Sequence, residues 1–196
     1  MTAFVRPIWA SPQSVSSILV IGPTEEPITL DQAKLAAGLD WPTGDPRDAQ
    51  MTAFIKAARQ LVEQRTSLAL LTQTRDITID ACYTDVVPLP AQALPLQSLT
   101  DPTGLTFTRR ELLIDMQRRV LTLPSVYDVA GAWTIVSGWP SPAALADEAP
   151  LLVHAVTLLT AHYATLGRDL ASVDQTYQVP AGFEDAIAPF CRTWVI

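Results

Sequence analysis

Positive charge is scarce in this sequence of 196 residues. It contains 13 lysine and arginine residues against 20 aspartate and glutamate residues, a formal net charge of −7, and its pI is near 4.7. Nucleic-acid-binding domains usually carry a basic face and a high pI. The basic residues are scattered here, apart from the pairs Arg109-Arg110 and Arg118-Arg119. We therefore expect no tight DNA binding, although DNA passing nearby without being held is compatible with this charge.

Cysteine, histidine and glycine are also few, and their spacing argues against several kinds of site. Cys82 and Cys191 lie too far apart in sequence to form a disulfide framework, so we expect both to be reduced. His154 and His162 are more than two turns apart on a predicted helix, too far to share a metal ion. The sequence contains no Cys-x-x-Cys, His-Glu-x-x-His, Gly-x-Ser-x-Gly or glycine-rich phosphate motif. We therefore expect a protein that is not an enzyme and has no cofactor or metal.

No apolar run reaches the length of about 20 residues that a membrane-spanning helix needs. Leu151–Leu166 falls short and includes both histidines. Residues 1–17 contain one basic residue, Arg6, and two prolines, which is unlike a signal peptide. We therefore expect a soluble intracellular protein. Only 17% of the residues are charged, below the roughly 25% of typical soluble domains, and such a surface suits large contacts between subunits.

Hydrophobic residues recur at helical spacing near both ends of the chain. Thr29 and Gln32 have the spacing of a capping box, so a helix is predicted from Thr29 to Gly38. Asp45 is the predicted N-cap of a second helix, with Pro46 at its first position, that continues to about Thr66. A third, largely apolar helix is predicted over 147–166, and a short one over 183–188.

Between these helices the period changes from 3.6 to 2, which indicates β-strands. Threonines 72, 74 and 78 alternate with larger residues from Leu71 onward. Six further strands are predicted, over 86–89, 94–99, 105–108, 112–115, 120–123 and 132–137. Prolines between them suggest exposed edges and a small antiparallel meander or barrel-like unit. The predicted fold class is α+β, a helical bundle built from both chain ends with an inserted antiparallel β unit.

Four stretches, in this order and spacing, resemble the head–tail connector (adaptor) family of long-tailed phages and gene transfer agents. They are Glu26–Lys34 (EPITLDQAK), Phe54–Glu63 followed by Leu70–Thr74 (LLTQT), Leu89-Pro90 with Leu94–Leu99 (LPLQSL), and the helix 149–163 with the closing segment Val179–Phe190. The likeness covers about residues 21–192. It divides the chain into an N-terminal arm (1–20), a connector domain (21–190, with helices in 29–67 and 147–190 and a β insertion over 71–137) and a C-terminal tail (191–196).

The resemblance implies a structural ring subunit that joins the portal of a phage-like capsid to the tail. The implied partners are copies of the same chain, about twelve in a closed ring, the portal protein, a stopper or tail protein, and DNA passing through the lumen without specific binding. It places the protein at the virion neck, after assembly in the bacterial cytoplasm. The alternatives are another neck or tail-completion protein of the same particle, such as a stopper, and a small soluble enzyme.

Apolar residues near both termini are the predicted contacts with neighbouring subunits or the portal. The Ile18–Ile21 segment suits addition of a strand to a neighbour's sheet. An apolar C-terminal segment commonly marks a contact surface, although packing against its own domain is the alternative. The candidate contact residues are Ile18, Val20, Phe190, Arg192, Trp194, Val195 and Ile196.

Overall fold

The computed structural model describes residues 15–79, 83–115, 120–128, 131–166 and 179–191. They fold into a mixed α+β structure. The helices are α1 (Leu30–Ala36), α2 (Arg47–Thr66), α3 (Pro142–Glu148), α4 (Pro150–Leu166) and α5 (Ala181–Ile187), with a short 3-10 helix at Arg109–Glu111. The strands are β1 (Val15–Ile21), β2 (Gln73–Ile79), β3 (Tyr83–Pro88), β4 (Leu96–Thr100), β5 (Thr106–Thr108), β6 (Leu113–Asp115), β7 (Val120–Asp128) and β8 (Gly131–Ser137).

The described residues form two compact units. Residues 15–22 and 73–137 make up the β unit, and residues 23–72 and 138–191 make up the helical unit. All five α-helices belong to the helical unit and all eight strands to the β unit. Each unit has buried apolar side chains of its own.

The core of the helical unit lies mainly between α2 and α4. Val156 and Leu159 are fully buried in it, and Phe54 and Leu61 pack against it half-buried. These four side chains therefore share one core. Each fully buried leucine or valine stabilises the unit by about 1.5–3 kcal/mol.

Helix α1 begins with the predicted capping box. The Thr29 hydroxyl accepts a hydrogen bond from the Gln32 backbone N–H at 3.2 Å, and the Gln32 side chain accepts one from Thr29 N–H at 2.8 Å. The chain leaves this helix through Gly38, whose φ of +62° lies in the left-handed region. The predicted start of α2 is confirmed by its hydrogen bonds. The Asp45 carboxylate accepts from the Arg47 backbone N–H at 2.9 Å, as the side chain of an N-cap does, and Pro46 has helical dihedrals (φ −52°, ψ −25°). The same carboxylate also accepts from the guanidinium of Arg47.

The helix predicted over 147–166 is confirmed over Pro150–Leu166, but its start is wrong. Residues 147 and 148 end the separate helix α3, which meets α4 at Ala149 with a bend of 113°. Ser141 caps α3 through a hydrogen bond from Ala144 N–H at 3.2 Å, and α3 ends at Glu148. A residue before proline is pushed out of the helical region, and Pro150 pushes Ala149 to φ −139°. None of the described helices is by itself long and apolar enough to cross a membrane; only α3 and α4 together meet that test of length and composition.

The β unit contains two antiparallel sheets. One has the order β1-β2-β8-β4-β5 and the other β3-β7-β6. This order is not that of the predicted meander, since β8 lies between β2 and β4. Long-range pairing of this kind leaves no local trace in the sequence. The buried side chains of the unit include Ile77, Leu99, Leu121, Trp133 and Ile135.

Part of the N-terminal arm predicted over 1–20 is a strand of the β unit. Residues 15–21 form β1, which pairs antiparallel with β2 of the same chain, from Val15 opposite Ile79 to Ile21 opposite Thr74. The backbone of this segment pairs with a strand of its own chain, so this pairing does not require a strand from a neighbouring subunit. Residues 1–14 lie outside the described part of the chain.

Candidate assembly interface

Strand β1 exposes an unbroken apolar stretch at the end of the five-stranded sheet. Ile18, Leu19, Val20 and Ile21 are 68%, 46%, 54% and 57% exposed. Successive side chains of a strand point to opposite faces, so β1 leaves apolar groups uncovered on both faces. Edge strands are usually protected by charge, proline or a bulge. Here a bulge lies between Leu19 and Ile21, and no charged residue or proline accompanies it within β1.

The register of the five strands defines one continuous surface, which we call the outer face. Directly opposed residues of antiparallel strands project to the same side of a sheet. Starting from Ile18 opposite Asp76 and Asp76 opposite Thr134, the pairing extends across all five strands. The outer face consists of Ser16, Ile18, Ile21, Thr74, Asp76, Thr78, Ser98, Thr100, Thr106, Thr108, Ala132, Thr134 and Val136.

The outer face is nearly free of charge. All of its residues are exposed or half-exposed, and Asp76 is the only ionisable residue among them. The Asp76 carboxylate accepts a hydrogen bond from the Thr134 hydroxyl at 2.8 Å. Two more hydroxyls, those of Thr100 and Thr106, lie 2.9 Å apart. All of the remaining members are threonine, serine or aliphatic residues, so the face presents hydroxyl and apolar side chains.

The opposite side of the same sheet faces the core of the β unit. Ile77, opposite Trp133, and Leu99, opposite Ile135, are all buried. The alternation of the strands therefore separates a well-packed side from an exposed side that carries a single charged residue, Asp76. Solvated faces of antiparallel sheets are ordinarily polar, with charged side chains among the surface residues.

The predicted contact residues have different surroundings. Ile18 and Val20 are exposed in the isolated chain, so both side chains are accessible to another molecule. Phe190 is half-buried and packs against the core of the helical unit, so part of its surface is already occupied. Arg192, Trp194, Val195 and Ile196 lie outside the described residues.

Cys191 adjoins that tail. Its Sγ lies 3.7 Å from the backbone oxygen of Arg65 at the end of α2. Burial raises the pKa of its thiol. A raised pKa keeps the thiol protonated and unreactive at neutral pH. Cys82, the other cysteine, lies outside the described residues.

A buried charged cluster ties the helical unit together. The Arg59 guanidinium donates to Glu26 at 2.8 Å and to Glu63 at 2.9 Å. The other oxygen of Glu63 accepts a hydrogen bond from Leu70 N–H at 3.0 Å. Arg59 and Glu63 are 8% and 3% exposed. The cluster joins three separate segments of backbone, and its groups are satisfied by one another, so it is a structural tie.

A second cluster anchors α1 to the start of α2. Lys34 forms an ion pair of 2.7 Å with Asp48, and the Trp41 indole N–H donates to the same carboxylate at 2.8 Å. The Lys34 ammonium, followed by the Trp41 indole, holds the pKa of Asp48 below its usual range. The Arg47 guanidinium lies 4.2 Å from the centre of the Trp41 ring, a cation–π contact.

Two further carboxylates, those of Glu26 and Glu148, serve as structural partners. Glu26 pairs with Arg59, and Glu148 accepts a hydrogen bond from the Trp139 indole at 2.9 Å. Within the described ranges, no group of three or more histidine, cysteine, aspartate or glutamate residues is placed to hold a metal ion. A pocket of about 130 Å³ in the helical unit has Arg47 as the sole ionisable residue of its lining.

Solved structures of similar fold include chains of gene transfer agent (GTA) particles. One is from the neck of an empty GTA particle computed with C6 symmetry, with a TM-score of 0.62, 20% identity and coverage of 93% of this chain and 97% of that chain. Another is from the virion of a native GTA particle, with a TM-score of 0.62, 19% identity and coverage of 92% and 97%. This chain shares its fold with a protein of the GTA neck. A third, from the neck of a native GTA particle computed with C12 symmetry, has a TM-score of 0.51, 22% identity and coverage of 88% and 96%.

No protein-family model matches the sequence, and no curated protein matches it. The likeness therefore lies in the shared fold. It extends over both the helical and the β unit, since it covers nearly the whole of each chain. The sequence motifs identify the helices and the contact candidates in β1. They do not reveal the outer face, because that surface depends on the register of strands far apart in sequence.

Proposed function

We propose that this protein is a structural, non-enzymatic subunit of the neck of a phage-like particle, where it joins the portal of the capsid to the tail. The observation that carries the proposal is the fold shared with a GTA neck chain over 93% of this chain. The exposed apolar stretch of β1 supports it, because exposed apolar patches commonly mark surfaces of assembly.

In the proposed arrangement about twelve copies form a closed ring through head-to-tail contacts. The proposed contacts with neighbours or the portal are made by Ile18 and Val20 of β1, and by the C-terminal residues Phe190, Arg192, Trp194, Val195 and Ile196. We further propose that the helices of both chain ends act as one bundle and that the β unit is its insertion. A stopper or tail protein binds the opposite side of the ring.

DNA passes through the ring without being bound specifically. A subunit with a net charge of −7, repeated around a ring, offers few of the phosphate contacts that duplex binding requires. Arg109 and Arg110 lie in the exposed 3-10 helix, where Arg109 donates to the Leu112 carbonyl at 3.1 Å. Arg118 and Arg119 lie outside the described residues. Submicromolar binding of random duplex at low salt that disappears when these four arginines are mutated would contradict a passive channel.

The location of the subunit tests the neck proposal directly. In a cryo-EM map of particles carrying a tagged copy of this protein, we expect density for a ring directly beneath the portal. Density farther down the neck would instead identify a stopper or tail-completion protein. Absence of the tagged protein from the head–tail junction would overturn the proposal.

A truncation tests the C-terminal contacts. A chain ending at Pro189 removes the whole predicted C-terminal contact segment, including Phe190, which also packs on the core of its own unit. A chain ending at Cys191 keeps that packing and removes only residues 192–196, so it is the sharper variant. We expect heads made with either chain to fail to acquire tails, as counted by electron microscopy. Normal joining by the chain ending at Cys191 would show that the tail is dispensable.

A further inference from the structure

We infer that the outer face of the five-stranded sheet is an interface with a second copy of this chain. The inference extends the proposed neck function by naming a surface of self-association. It rests on that function only for the expectation that copies meet one another. The face begins at Ile18 and Ile21 of β1 and continues across β2, β8, β4 and β5.

The composition of the outer face points to a protein as its partner. With Asp76 as its only ionisable residue, it supplies no basic group for phosphate, so a nucleic acid gains nothing there. It is a sheet surface rather than a concave pocket, the usual site of a small ligand. Depletion of charged residues is the compositional mark of the centre of protein–protein interfaces. The aliphatic members lie in β1 and β8, beside hydroxyls able to pair across a contact.

Charge supports another copy as the partner. Each chain carries a net charge of −7, so two copies repel least when they meet through surfaces that carry few charges. A basic partner would be matched by an acidic surface, and the outer face offers a single carboxylate that is already bonded to Thr134. The face is also continuous with the exposed apolar residues of β1, which are the proposed subunit contacts.

The experiment places one lysine on this face. Ala132 is exposed and lies opposite Thr78, so Ala132→Lys has room on the isolated chain and changes no core contact. Thr165→Lys on α4, also at an exposed position, is the matched control. Both variants change the net charge equally toward neutrality, so general repulsion between copies falls in both. Ala132→Ser is the conservative variant that keeps the face uncharged.

Self-association of the full-length chain is measured by sedimentation velocity over a range of concentrations, with circular dichroism to verify the fold. We expect Ala132→Lys to weaken association at least about tenfold, because closing the interface removes water from the ammonium group, and pairing with Asp76 does not fully repay that cost. Thr165→Lys and Ala132→Ser should associate like the unchanged chain. Equal association of Ala132→Lys and the unchanged chain would overturn the inference, as would a chain that stays monomeric throughout. Neither result would affect the neck proposal, which is decided by the location of the subunit in the particle.

Discussion

The helical and β units differ in the groups that they bury and expose against the usual rule of charged outside and apolar inside. The helical unit buries charge, with Arg59 and Glu63 enclosed and paired. The β unit exposes apolar surface, including Ile18–Ile21, and presents a nearly uncharged sheet face. Buried ion pairs hold one arrangement of backbone in place, whereas exposed apolar groups gain stability only when another surface covers them. We interpret the helical unit as stabilised by contacts within itself and the β unit as the one that offers a surface for association.

The largest expected effect breaks the buried cluster of the helical unit. Arg59→Met removes the cation and leaves Glu26 and Glu63 without their partner, so we expect a loss of about 3–5 kcal/mol in the free energy of unfolding. Arg65→Met is the control, since its ion pair with Glu184 is exposed on both sides and should cost far less stability when it is lost. Urea unfolding measures both. Equal losses would mean that the buried cluster does not tie the unit together.

Gly138 gives the next largest effect. Its φ is +103°, and an added Cβ would lie 2.1 Å from the Leu71 carbonyl oxygen. We expect Gly138→Ala to cost at least about 2 kcal/mol, because a strained backbone and a backbone clash add together. Gly44→Ala is a matched control with φ +96° and nothing within 4 Å of the added Cβ, so it carries the strain alone. Thermal unfolding of the two variants separates them. Similar melting temperatures would show that the chain near Leu71 shifts at little cost.

Substitutions in β1 should affect assembly strongly and stability little, unlike those at Arg59 and Gly138. We expect Ile18→Thr combined with Ile21→Thr to change the free energy of unfolding by less than about 0.5 kcal/mol, because both side chains are exposed. The same variant should reduce the number of tailed particles at least about tenfold if these residues are central contacts. Leu35→Gln, at an 82% exposed position of α1, is the control and should leave particle numbers unchanged. A stable β1 variant that still yields tailed particles would contradict the interpretation of β1 as a contact surface for assembly.

The sequence predicts local features of this fold better than distant ones. The capping box at Thr29 and Gln32 was correct because its signal lies within four residues. The break at Ala149 was missed, although Pro150 carries the signal, because the apolar pattern continues across it. The order of the strands could not be predicted, since it brings β8 beside β2. The outer face is defined by that strand pairing, so it could not be predicted from the sequence either.

For the same reason, only part of the candidate interface could be predicted. Ile18 and Val20 stand out as consecutive apolar residues near the start of the sequence, and the structure leaves them exposed. Phe190 carries the same signal but packs on its own core. Hydrophobicity alone does not distinguish a side chain that awaits a partner from one that has found its partner within the chain.

The smallest expected effect is the pH dependence of the link between α1 and α2. The pKa of Asp48 is lowered by Lys34 and Trp41, so the folded chain binds a proton there less readily than the unfolded chain. Stability from this link is therefore fully present above the ordinary aspartate pKa near 3.9, and is lost as pH falls through the lower pKa of the folded state.

We expect Asp48→Asn to flatten the decline of the unfolding free energy as the pH falls from about 5 through the ordinary aspartate pKa and below it. Asp147→Asn, at an exposed position of the same unit, is the control and should leave the slope as it is in the unchanged chain. Urea unfolding at several pH values gives the slopes. An Asp48→Asn slope equal to that of the unchanged chain would mean that charge contributes little to holding α1 against α2. The stability of the helical unit would then rest on its apolar core and on the Arg59 cluster alone, because the Lys34 ion pair would be neutral in its effect.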